Sequence, residues 1–173
     1  MRNLVVLSIA AIGFGSAMAL AQADQPRLLA TYFNWRALTS GAADSTVCYV
    51  THLPGAVVQA AQRDEQRPML LVAWRPAKAS ANVVTYFPAY RFKPGTEAVM
   101  EFAPKLSFKL FTTGNSAWAA SSEDDAVIVQ AFRDAYAVTV RGTTEAGVQV
   151  ADTILLTGFT AAAAAAVQAC PPR

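Results

Sequence analysis

The chain predicts a mainly β, single-domain antiparallel β-sandwich with one or two short helices. Three observations lead there. Short apolar runs alternate at the strand period of two. Proline-rich and glycine-rich turns punctuate them. Of the 173 residues, about 150 remain once an N-terminal leader is set aside, which suits one core.

The leader is the first element. Arg2 gives a short positive start, and Leu4 to Leu20 is an almost unbroken apolar run. Overlapping small-x-small sites follow at Ala17-Met18-Ala19, Ala19-Leu20-Ala21 and Ala21-Gln22-Ala23. This is the pattern of a cleavable signal peptide over residues 1–23, with the mature chain starting at Gln22 or Asp24. The alternative is an uncleaved anchor, since a span needs roughly 20 apolar residues. The small-residue sites and the polar shift at Asp24 favour cleavage. No cysteine lies nearby to carry a lipid. No second hydrophobic span follows, so the domain over 24–173 carries no stable membrane span and reads as soluble.

Within that domain the elements come in order. Met69 to Trp74 is continuously apolar, which predicts a central strand buried on both faces. Val83 to Phe87 and Ala98 to Phe102 read as further strands. In the next, Leu106, Phe108 and Leu110 face one way, against Ser107 and Lys109. Ser122 is placed to cap a helix whose first turn holds Glu123, Asp124 and Asp125, where the helix dipole favours acids. Its apolar face is Val127, Ile128, Ala131 and Phe132. Tyr136, Val138 and Val140 then alternate with Ala137, Thr139 and Arg141. Val148, Val150, Ile154 and Leu156 share one face of a last strand. After Gly158, Thr160 is placed to cap a helix through Ala161–Ala166, ended by Pro171 and Pro172. Its smooth alanine face is suited to lie close on a sheet.

Charge and composition exclude some functions. Without Arg2 the chain has thirteen Lys and Arg against twelve acids, a net charge of about +1. That balance leaves no footprint for nucleic acid and no polybasic membrane patch. Cys48 and Cys170 are the only cysteines. In an oxidising compartment they are expected to form a disulfide, worth about 4–5 kcal/mol in the chain-entropy model. The alternative is two free thiols or a redox pair, but no Cys-x-x-Cys motif is present.

Catalytic patterns are sparse. His52 is the single histidine and reads as a strand or loop residue. No Gly-x-Ser-x-Gly elbow, phosphate loop, zinc set or EF-hand spacing occurs, and no cofactor is expected. Asp152 interrupts an apolar face. It is expected to play a structural part, taking backbone hydrogen bonds at a bulge or pairing with Arg141. Trp35, Trp74 and Trp118 read as core more than groove. Tyr90, Arg91 and Phe92 lie between Pro88 and Pro94. They are the aromatic loop expected to be exposed and form the candidate binding surface.

Several motifs together resemble a known family. They are Arg75-Pro76 after an apolar strand, Tyr90-x-Phe92-Lys93-x-Gly95, and Phe108-x-Leu110-Phe111-Thr112-x-Gly114-Asn115-x-Ala117-Trp118. Val138-x-Val140-x-Gly142-Thr143, Asp152-Thr153 and Leu156-x-Gly158-Phe159-Thr160-Ala161-Ala162 follow, with Cys170 at the end. From about Trp35 to Cys170 the chain resembles the invasion-associated locus B family, exported proteins of the Gram-negative envelope. The resemblance implies a periplasmic or secreted, virulence-associated accessory protein of compact β fold. It implies no enzymatic activity and no catalytic residues. Cys48 and Cys170 match the cysteines such proteins place near these ends. The turn Thr143-Thr144-Glu145-Ala146-Gly147-Val148 departs from the family by lacking its arginine, and Asp152-Thr153-Ile154 lacks its tyrosine.

Three functions follow as expectations. The first is a non-enzymatic envelope protein that binds a protein or surface component, with a place in host-cell interaction. The second is a small-molecule or glycan binder. The third is a hydrolase with an unrecognised site.

Overall fold

A computed structural model describes residues 25–41, 45–53, 57–59, 67–75 and 82–171. The signal peptide expected over residues 1–23 lies outside them, as do Pro76 and Pro172.

The strands are β1 (Arg27–Tyr32), β2 (Trp35–Ser40), β3 (Val47–His52), β4 (Val57–Gln59), β5 (Met69–Trp74) and β6 (Val83–Phe87). Then come β7 (Glu97–Phe102), β8 (Leu106–Thr113), β9 (Ser116–Ala119), α1 (Ser122–Asp134), β10 (Ala137–Thr143), β11 (Gln149–Leu155) and α2 (Phe159–Ala169). Among the described residues all pairings of these strands are antiparallel, in one ladder of order β1-β2-β3-β5-β6-β9-β8-β7-β10-β11-β4.

That ladder cannot be flat. β6 and β11 are five steps apart in it, about 24 Å at the usual strand spacing. Yet the Tyr86 hydroxyl on β6 donates to Asp152 on β11. Trp35 Nε1 on β2 reaches the Leu155 carbonyl of β11 at 3.0 Å. The sheet therefore curls until its two halves face each other across a core, giving a mainly antiparallel, sandwich-like single domain with two helices among the described residues.

Alternation decides what enters that core. Trp35 and Ala37 of β2, Cys48 and Val50 of β3, Leu70, Val72 and Trp74 of β5, and Val84 and Tyr86 of β6 are buried on one half. Ala98, Met100, Leu110, Val138, Val140 and Ile154 are buried on the other. α2 packs on β1, β2 and β3, while α1 lies against β6, β9 and α2.

Several expectations need correction. β5 is not buried on both faces: Leu70, Val72 and Trp74 are buried, but Leu71 and Ala73 are half-buried and Met69 is exposed. The cap of α1 is Ser121, whose side chain accepts from the Asp124 N–H at 3.1 Å. Its buried face uses Val129 rather than Val127, which is 49% exposed. Gly158, not Thr160, precedes α2, in the left-handed conformation at φ 100°. Here a side chain is excluded twice over, since a Cβ would also overlap the Tyr32 carbonyl oxygen. Tyr136 and Val148 fall outside β10 and β11 and are exposed.

Candidate functional site

The expected binding loop Tyr90-Arg91-Phe92 is a strap closed over the core. The Phe92 N–H donates to the Gly114 carbonyl at 2.7 Å, and the Lys93 N–H to that of Thr143 at 2.9 Å. The Glu145 N–H returns a bond to the Arg91 carbonyl at 2.8 Å. Phe92 is 3% exposed and Tyr90 half-buried, so Arg91 alone of the three is exposed, 3.6 Å from Glu145. The expectation of an exposed aromatic pair is corrected: both rings turn inward. They pack edge-on at 5.2 Å over Gly142, where a Cβ would come within 2.6 Å of the Tyr90 hydroxyl and the Phe92 ring.

Beneath the strap lies Asp152, 2% exposed. β10 and β11 run in unbroken register there, and the irregularity of β11 lies on its other edge, between Thr153 and Ile154 in the pairing with β4. Arg141 is not its partner. Asp152 opposes Val140, which places Arg141 on the other face, where its Nε meets Glu101 at 2.7 Å. Asp152 instead accepts the hydroxyl of fully buried Tyr86. Burial first, then the charge of Asp152, pushes the ionisation of both Tyr86 and Tyr90 well above the ordinary phenol range. Both phenols therefore stay neutral, and Tyr86 acts as a donor. This cluster is out of reach of a substrate; it braces β6 against β11.

His52 sits at the end of β3, 6% exposed, with its ring edge-on to Trp35 at 5.8 Å. Its Nδ1 is 2.9 Å from the Leu53 carbonyl, an acceptor, so Nδ1 carries the proton. Burial lowers its pKa, opposed by that bond. No serine or carboxylate contact to the ring occurs among the described residues, and no three of His, Cys, Asp and Glu there gather to hold a metal. Cys48 and Cys170 are joined by a disulfide, their Cα atoms 6.4 Å apart.

The outer face of the curled sheet carries apolar side chains as well. Register places Arg36, Thr51, Leu71, Thr85, Trp118, Phe111 and Glu97 in one row across seven neighbouring strands. Leu38, Tyr49, Ala73 and Val83 form the next row, and Met69 with Phe87 a third. Phe111 is 47% exposed, Val83 41% and Met69 38%. Phe111 and Trp118 meet edge-on at 6.4 Å. Both helices bury their apolar faces toward the core, so neither covers these rows. The signal was present in the uninterrupted apolar run of β5, which makes both of its faces apolar although one of them faces outward. A separate shallow groove of about 540 Å³ lies between Tyr32, Arg133 and the exposed side of α2.

No protein-family model, curated protein or solved structure matches this chain.

Proposed function

We propose that this protein is an exported, non-enzymatic partner-binding protein of the Gram-negative envelope, of the invasion-associated locus B type. Its outer sheet face is the docking surface for another protein. The observation that carries this reading is the group of apolar side chains Phe111, Trp118, Leu71 and Val83, exposed or half-buried among the threonines of those rows. Monomeric proteins rarely leave a contiguous patch of this kind uncovered. An open face of strands cannot enclose a small molecule, whereas it matches the apolar centre and aromatic anchors of protein interfaces. Exposed Arg36 at the end of the central row favours a partner with an acidic rim. The Cys48–Cys170 bond suits an oxidising compartment and supports the periplasmic or secreted location.

The alternative, a small-molecule or glycan binder, draws on the groove at Tyr32 and Arg133. Cross-linking in intact envelopes, followed by identification of what is captured, separates the two. Reproducible recovery of one protein supports the first reading. Sugar binding without a protein partner supports the second.

A further inference from the structure

We propose that α2 is a redox-released lid: the Cys48–Cys170 bond latches its C-terminal half over the core face of β1–β3, and thiol–disulfide exchange frees it. The grip on α2 is uneven along its length. Phe159 in the first turn is fully buried, edge-on to Trp35 at 5.1 Å and to Phe132 at 5.2 Å. Beyond it the helix buries only Ala162, Ala163 and Ala166. Each alanine brings a single methyl, far less apolar area than the leucine or phenylalanine of an ordinary helix face. Ala161, Ala164, Val167, Gln168 and Ala169 are exposed. At 11 residues the helix is too short to persist in water without packing. Its second half is held by the buried methyl of Ala166 and by Cys170, bonded to Cys48 on β3. The sheet it covers presents Ala37, Cys48 and Val50, all 0% exposed.

The chemistry is directional. Cys170 is the less buried of the two, 7% exposed against 0% for Cys48, so the proposed route brings an incoming thiolate to the Cys170 sulfur. It attacks there, the S–S bond breaks, and Cys48 leaves as a thiolate that takes up a proton. The second thiol of a dithiol reductant resolves the mixed disulfide. Cys170 is left as a thiol and the reductant is oxidised to its own disulfide. While the latch is closed, the 11-residue helix can lift only as a loop tied at both ends, at Phe159 and at Cys170. Cutting such a loop raises the opened fraction about a hundredfold in the chain-entropy model.

Amide hydrogen exchange on the whole protein, oxidised and after reduction with dithiothreitol, tests this. Amides from Ala163 to Cys170 should exchange about a hundredfold faster once reduced, while β10 and β11 keep their protection. Unchanged protection of α2 on reduction would overturn the proposal. So would loss of protection in β10 and β11 together with α2, because the helix would then not be a separate lid. The double variant Cys48→Ser with Cys170→Ser, without reductant, should reproduce the reduced pattern. If its α2 stays protected, or all strands lose protection at once, the lid is refuted.

Discussion

The Tyr86–Asp152 bond makes a sharp prediction about what holds the curled sheet closed. Tyr86→Phe removes one hydroxyl and keeps the ring. Tyr86 is 0% exposed and Asp152 2%, so water cannot easily replace the lost donor. The Asp152 oxygen then bears much of its desolvation cost. For a buried acceptor of this kind the loss is about 1.5–3 kcal/mol. In a domain of this size each kcal/mol moves the Tm by about 2–4 °C, so a fall of about 3–12 °C is expected. Asp152→Asn keeps an acceptor oxygen and should cost less, though still a measurable amount. The double variant should cost less than the sum of the two, with a coupling of at least about 1 kcal/mol. Urea unfolding followed by circular dichroism measures all four proteins, with the slope m checking that the transition stays two-state. If Tyr86→Phe and Asp152→Asn each left stability within about 0.5 kcal/mol of the parent, the bond would not be closing the sheet.

Three further outcomes follow. Gly142→Ala should cost about 1–3 kcal/mol, because its Cβ meets the strap rings at 2.6 Å, and exchange protection at Phe92 and Lys93 should fall with it. His52 should make the fold acid-sensitive. Its folded pKa lies below the unfolded value of about 6.5, so stability is complete above that pH and falls as pH drops toward the folded value, where the unfolded chain binds the extra proton. His52→Phe should flatten the slope of stability just below about pH 6.5, and an unchanged slope would show that another group sets it. Phe111→Lys and Val83→Lys, both on the exposed face, should change stability by no more than about 1 kcal/mol, yet reduce capture of the partner in intact envelopes.

Much of the fold was legible because alternation and turn chemistry are local. β6, β7, β8 and β10 follow their apolar periods, and the acidic first turn of α1 marks that helix to within a residue. β1 was not legible: as an edge strand it buries no residue fully, and its half-buried pair Leu29 and Ala30 breaks the period. β5 misled for a physical reason. A run apolar on both faces looks the same whether the second face meets another layer or lies open at the surface. The strap escaped sequence reading because Pro88 and Pro94 mark an irregular segment truthfully, while the long-range bonds to Gly114 and Thr143 that turn its rings inward leave no local trace. Asp152 was readable as a buried carboxyl in need of a partner. That the partner is Tyr86, on the opposite half of the sheet, required the curl itself.

The central claim is that the outer face docks a protein, and a photoactivatable residue at position 111 tests it most directly. Introduced in place of Phe111 and irradiated in intact envelopes, it should yield one discrete adduct with another protein. The same residue in place of Glu123, on the exposed side of α1, should yield none. No adduct at position 111, or the same diffuse products at both positions, would contradict the account.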